Sequence, residues 1–347
     1  MASRQYISII RLFHHLDIPT NEGFNPARVK KQLQAEFGIS KDGFIEVDGF
    51  TYSRHQVFEE LENPGFKDHL RFHQQIWESP QLLQLLESNN ADTSSLRAET
   101  VFFRNEADFP EFISPFLAGP FSHLSRRLLL EHRFTEVSEL LYMEHYLLPA
   151  ERETAFGPLR LFLDENRRIL RNVNSSNYKL MHEQILHWIE GYWGTFLNAV
   201  PDDLYEERTD TVVRLVDLTV AIQKTRKKDC VRISSQLLLV TNVPDELRQI
   251  IISNDKIYAE ATTGSKNLWI IWVAVFIGIR VATSSDGCNR DSNKVNFERL
   301  KEIQVHYADS SDLEIRADSF SLDPGQLRLR QQKGKADTTS RIEIPPL

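Results

Sequence analysis

One stretch limits what this chain can fold into more than any other. Leu268, Trp269, Ile270, Ile271, Trp272, Val273, Ala274, Val275, Phe276, Ile277, Gly278 and Ile279 follow one another without a charged side chain, and beyond Arg280 the run continues through Val281 and Ala282. A segment apolar on every face is covered either by lipid or by the interior of the protein. As a helix its fifteen residues rise about 22 Å at 1.5 Å per residue, short of a hydrocarbon core about 30 Å thick. Trp269 and Trp272 toward one end and Arg280 toward the other suit interfacial anchoring and snorkelling, and local thinning of the bilayer accommodates a short span. The competing reading is a buried core strand at 268–282, because Ile271, Val273, Val275, Ile277 and Ile279 are β-branched on one parity and the other parity is apolar too. Such a strand is twice the usual length and needs partners that the sequence before it does not offer. The expectation is a single transmembrane helix within 267–283.

The flanks of the run carry similar positive charge, with Arg248, Lys256 and Lys266 before it and Arg280, Arg290, Lys294 and Arg299 after it. Orientation therefore rests on the N-terminus. From Met1 to Leu16 the apolar residues are interrupted by Arg4, Arg11, His14 and His15, so the continuous apolar core of a secretory signal is missing. The expected arrangement is a single-pass membrane protein with its N-terminal domain cytoplasmic.

Composition narrows the function classes. With 41 Lys+Arg against 49 Asp+Glu the formal charge is −8, which argues against broad nucleic-acid binding because that relies on cations displacing counterions from phosphates. The acidity lies before the apolar run; the charges beyond it nearly balance. Two cysteines, Cys230 and Cys288, form neither a disulfide framework nor a thiolate metal cage.

Local patterning divides the chain into a module at 1–88, a helical domain at 99–265, the apolar segment and a polar tail at 284–347 that is expected to be partly disordered. The module reads as α+β. Ile7, Ile10, Leu12 and Phe13 share a helical face; Asn25 caps a helix with Pro26 in its first turn and Val29, Leu33 and Phe37 as a stripe. Phe44, Ile45 and Val47 pair with Phe50 and Tyr52 across Asp48-Gly49, a dipeptide suited to the positive φ angles of a type I′ hairpin. Ser53 and Gln56 form a capping box, and helices are expected over Phe66–Trp77 and from Pro80. Residues 88–98, rich in Ser, Asn and Asp, read as a linker. After it the period is helical. A hairpin runs through Leu124, Leu128, Phe134, Val137 and Leu140, a helix opens at Pro158, and others span 180–197, 204–222, 233–239 and 247–259. The fold class is mainly α, a helical bundle or irregular α-solenoid following one β-hairpin. Alternation at Ile303, Val305 and Tyr307 and at Leu327 and Leu329 suggests short strands in the tail.

Chemistry-bearing clusters are few. His69 and His73 stand four apart on a helix and are the only weak candidates for metal ligands; two ligands do not make a site. His182, Glu183 and His187 resemble a zinc-protease helix, but a spacing of five turns the second imidazole about 140° away. Trp188, Tyr192, Trp193 and Phe196 read as packing. Arg160, Arg167 and Arg171 fall within about 40° on a helix, with Arg168 beside them. They form a candidate anion-binding stripe, although Asp164 among them favours a salt-bridged face. The basic cluster Lys224, Arg226, Lys227 and Lys228 reads as a solvated helix end. Asp42 to Gly49 fails as a calcium loop, because glycines occupy the first and last ligand positions when Gly43 is set at the turn.

No cofactor is implied and no small-molecule substrate is identified. The expected function is a non-catalytic, membrane-anchored helical scaffold or adaptor with a protein partner. The alternatives are a soluble interaction protein with 268–282 in its core, and a hydrolase whose site is assembled from residues distant in sequence, among them His69, His73, Glu183, Arg160 and Arg168.

Overall fold

The computed structural model describes residues 5–20, 24–40 and 42–263, which fall within one of two compact units. The apolar run at 268–282, the tail from 284 onward and its suggested strands lie outside the described residues, as does Cys288. Among the described residues no helix is long and apolar enough to cross a membrane.

The N-terminal part follows its local signals closely. Helix α1 (Ile9–His15) buries Ile9, Ile10, Leu12 and Phe13. In α2 (Pro26–Ile39) the Asn25 side chain accepts from the backbone N–H groups of Ala27 at 3.1 Å and Arg28 at 3.2 Å. Strands β1 (Phe44–Val47) and β2 (Phe50–Ser53) pair antiparallel, Val47 opposite Phe50, and both linking residues have positive φ: 51° at Asp48 and 82° at Gly49. That is the backbone a two-residue I′ turn requires. The Ser53–Gln56 box opens α3 (Arg54–Leu61), followed by α4 (Phe66–Trp77) and α5 (Pro80–Ser88). Arg11, on the otherwise apolar α1, reaches Glu87 at 2.5 and 2.8 Å and lies 3.9 Å over the Phe50 ring. A bidentate pair with this little solvent ties α1 to α5.

The stretch expected as a linker is largely a helix. Asp92 accepts from the Ser95 backbone at 3.3 Å and caps α6 (Thr93–Thr100), which packs on α5. A serine-rich run after an aspartate is as good a helix start as it is a linker, and composition cannot separate the two. Next come α7 (Phe109–Leu130) and α8 (Phe134–Leu141), joined at His132 with φ 55° as the expected hairpin.

Two further expectations need correction. The helix thought to open at Pro158 opens nine residues earlier: α9 spans Pro149–Asn172 and carries Pro158 within it. The segment 180–197 is two helices, α10 (Tyr178–Glu190) and α11 (Gly194–Ala199). They part at Gly191, where the backbone turns extended (φ −79°, ψ 158°), and buried Trp193 turns back to donate its indole N–H to the Trp188 carbonyl at 2.8 Å. The chain continues through α12 (Tyr205–Ile222), α13 (Lys227–Leu239) and α14 (Asp245–Thr263). Helices α7, α9, α12, α13 and α14 pack in series, each on the next, while α8 leans on α6, α7 and α11. Cys230 on α13 is buried, and burial pushes its thiol up to about 12.

Candidate functional site: a groove lined by three 3-10 turns

The residues singled out by spacing are held by different neighbours. On α4, His73 is 1% exposed; its Nδ1 meets the Tyr6 hydroxyl at 3.1 Å and its Nε2 meets Glu60 at 3.4 Å. All three groups are satisfied when Tyr6 donates to Nδ1 and Nε2–H donates to the carboxylate. They border a cavity of about 300 Å³ shared with Gln56, Glu59 and Phe116. His69 instead rests on Phe112, ring centres 4.9 Å apart. The two imidazoles therefore serve different partners, and among the described residues no group of three or more His, Cys, Asp or Glu converges to hold a metal.

The arginine stripe of α9 meets an acidic stripe on α12. Arg160 lies 3.4 Å from Glu207; Arg167 and Arg171 reach Asp210 at 3.4 and 2.9 Å, and Arg214 joins them there at 3.1 Å. Arg167 also pairs with Asp164, and Arg168 with Glu165 at 2.7 Å. Each partly exposed pair is worth about 1 kcal/mol or less, so their main effect is to register the two helices. Glu207 and Asp210, three apart, would have shown the matching stripe in the sequence.

His182 and His187 do not share a face. His187 stacks on His132, ring centres 4.0 Å apart, and its Nε2 bonds Asn166 Oδ1 at 2.8 Å. Burial, with a smaller contribution from His132, lowers its pKa to about 3. Trp188, Trp193 and Phe196 are fully buried, as packing requires, whereas Tyr192 is 77% exposed and belongs to the surface. Glu183 is exposed too. At the basic cluster, Arg226 lies 5.3 Å over the Tyr178 ring.

A concave feature of the helical region arises elsewhere, where helices stop. Three 3-10 turns, Val101–Asn105, Glu144–Tyr146 and Asp202–Leu204, interrupt the helical series. Each contributes to one groove of about 590 Å³, lined among others by Arg104, Tyr142, Glu144, His145, Asp202 and Asn242. A fully buried cation, Arg208 of α12, underlies it. Its guanidinium donates to the Val200 carbonyl at 2.7 Å and approaches Asp202 at 3.4 Å. With the Asn242 amide oxygen turned toward it, it donates there at 2.9 and 3.0 Å. Asn198 donates to the Leu239 carbonyl at 2.7 Å and accepts from the Thr241 N–H at 2.7 Å. The connections α11–α12 and α13–α14 are thereby locked to one another, and the groove has a rigid floor.

Its lining carries both signs. Glu144 is raised by burial, against the pull of Arg152 and with Asp202 and Asp203 adding to the shift. His145 is lowered by burial and then by the charge of Arg104. Two guanidiniums, Arg97 and Arg104, each sit 4.2 Å from the centre of the Tyr142 ring. Beside them the first 3-10 turn buries Phe103 and leaves Val101 45% and Phe102 81% exposed. None of these was singled out by spacing, because the groove is assembled from segments more than thirty residues apart. A sequence signal that could have pointed to it is the density of Arg and Phe at Arg97, Phe102, Phe103 and Arg104.

No family model matches the chain, and neither a curated protein nor a solved structure is detectably similar to it.

Proposed function

We propose that the protein is a non-catalytic helical scaffold that docks a protein partner at the groove of the three 3-10 turns and is tethered to a membrane by residues 268–282. The observation that carries the docking reading is the exposed surface that adjoins the groove through Arg104 and Tyr142, which line it: Phe102, at 81% exposure, lies on the same 3-10 turn as Arg104, and Arg97 and Arg104 both lie over the Tyr142 ring. Aromatic and arginine side chains beside a groove with a rigid floor are what interfaces concentrate, and burying one phenylalanine contributes about 2 kcal/mol. The tether rests on the sequence of 268–282 and on its terminal Trp and Arg residues. The hydrolase alternative finds no support in the arrangement of its candidates. His73 is engaged by Tyr6 and Glu60, Arg160 by Glu207 and Arg168 by Glu165, while Glu183 is exposed on α10.

Two measurements test the proposal. A photo-cross-linking residue in place of Phe102 in the full chain is expected to trap a discrete protein in cells. The same residue in place of Leu180, which is also 81% exposed, is expected to trap none. Equal trapping at both positions refutes the groove as the docking site. Separately, the full chain is expected in the membrane fraction and a chain ending at residue 265 in the aqueous one. Full chain that stays aqueous without detergent refutes the tether and favours the soluble alternative.

A further inference from the structure

The docking reading says where a partner sits; the charges at the groove say what kind of segment it presents. Arg97 and Arg104 are two guanidiniums over one tyrosine ring, and like Arg127, Arg226 and Arg248 they have no carboxylate partner among the described residues. Arg133, Arg152, Arg160, Arg167, Arg168 and Arg171 are each paired with a carboxylate. Among the described residues Arg97 and Arg104 are not, although carboxylates lie close by in sequence. Those carboxylates are committed elsewhere. Glu99 accepts from the backbone N–H groups of Gln81 at 2.9 Å and Leu82 at 3.2 Å at the start of α5. Glu106 pairs with Arg71 at 3.2 Å, and Glu139 accepts from the Thr93 hydroxyl at 2.7 Å. Two positive charges thus have no counterion among the described residues, on a chain whose formal charge is −8.

They are also held in place. Stacking on one tyrosine ring fixes both guanidiniums without occupying their N–H donors, so the forks remain free to take up a planar anion bidentately. A fixed donor set reduces the ordering penalty of binding. The positive field extends to His145, whose proton affinity Arg104 lowers in addition to burial. In a helix of three residues per turn, Val101 and Arg104 stand on the same face. An apolar contact and a cationic one are therefore offered side by side, with exposed Phe102 on the next face.

We infer that the partner's docking segment is an acidic peptide stretch, with Asp or Glu carboxylates taken up by Arg97 and by Arg104 and an adjacent aliphatic or aromatic side chain against Val101 and Phe102. This rests on the docking reading above. A basic segment, which the overall negative charge would attract from a distance, meets two uncompensated guanidiniums at this surface and is excluded locally.

The experiment is selection from a peptide display library on the full chain in detergent micelles, with selected peptides re-measured by fluorescence polarisation and mapped by the cross-linker at position 102. Expected are peptides with Asp or Glu next to Leu, Ile, Val or Phe that cross-link at 102. Their affinity should fall about tenfold in Arg97→Glu/Arg104→Glu, the size of an interface contact that costs about 1.4 kcal/mol, and fall again in Phe102→Ser. The substituted side chains are exposed, and an unchanged thermal melt confirms that each variant is folded; should the double variant melt early, Arg104→Gln serves in its place. Peptides that map to position 102 but show no acidic excess, or that bind the charge-reversed chain equally well, overturn this inference and leave the docking reading standing. A selection in which no peptide maps to position 102 overturns both.

Discussion

Replacing Asn166 by alanine tests how the helical region is held together. Asn166 is 5% exposed, and its Oδ1 accepts from Trp188 Nε1 and from His187 Nε2, both at 2.8 Å, while its Nδ2 donates to the Phe162 carbonyl at 2.8 Å. Trp188 is fully buried and packs against Phe134 and Trp193, with ring centres 5.8 and 5.3 Å away. Without the asparagine its indole N–H has no acceptor, and a buried donor left unmatched costs about 1–3 kcal/mol. The His187 bond adds about 1 kcal/mol, and the space vacated by the amide about 1 kcal/mol more. The Phe162 carbonyl lies inside α9 and keeps its helical bond, so it adds little. Asn166→Ala should therefore destabilise the chain by about 3–5 kcal/mol, read from urea midpoints by circular dichroism at fixed detergent. The indole part is isolated by Trp188→Phe, which deletes the donor and keeps an aromatic ring. In that background Asn166→Ala should cost about 1–2 kcal/mol less than in the parent. Costs that agree within about 0.5 kcal/mol would mean that the two side chains do not depend on each other, and the assignment of Asn166 as the shared acceptor would be wrong.

Three further outcomes follow from other sites. The His187 pKa is lowered to about 3 while an unfolded histidine titrates near about 6.5. Between those values the unfolded chain binds a proton that the folded chain does not, so stability is retained above about pH 6.5 and lost as pH falls. His187→Gln should flatten the decline of melting temperature between about pH 7 and 5, and an unchanged slope refutes the assignment. Alanine should act oppositely at two helical glycines. At Gly194 the new Cβ meets the Gln236 carbonyl and comes within 2.8 Å of Leu239 Cβ, whereas at Gly157 nothing lies within 4 Å. Thermal melts should show a loss of about 2 kcal/mol at Gly194 and a gain of about 0.5–1 kcal/mol at Gly157, and shifts of the same sign would contradict this. Asp210→Asn removes the carboxylate shared by Arg167, Arg171 and Arg214 and should lower stability by about 1 kcal/mol. It should also make the melting temperature rise with sulfate more than the parent's does at equal ionic strength, and an equal response would show that the ladder does not neutralise the stripe.

What the sequence conveyed depended on the range of the signal. The Asn25 cap, the Asp48-Gly49 turn and the Ser53–Gln56 box each act within four residues, and each is present. Proline was read less well. Pro158 stops no helix, because α9 bridges its missing N–H while Leu159 and Leu163 beyond it stay buried, and packing outweighs a local break. At Gly191 the reverse holds: the apolar period runs on, but the backbone turns extended and buried Trp193 folds back onto the Trp188 carbonyl. Periodicity reports which face is buried and is blind to where the backbone turns.

The groove shows why site residues were the least legible part. Its walls are the places where the helical pattern fails: a five-residue 3-10 turn after α6, a three-residue turn after α8 and another after α11. Such turns are too short to carry a hydrophobic period, and they expose side chains that a continuing helix would bury or splay apart. Interruptions more than forty residues apart in the chain become one surface only because α8 leans on α6 and α11, and because Arg208 and Asn198 fasten two of the connections together. Arg208 is the informative residue. A fully buried guanidinium held by one backbone carbonyl, one amide and a largely exposed carboxylate adds little stability, since its desolvation offsets most of what those partners return. Its consequence is geometric: it sets the distance between the α11–α12 and α13–α14 connections, and hence the shape of the floor of the groove that Arg104 and Tyr142 also line.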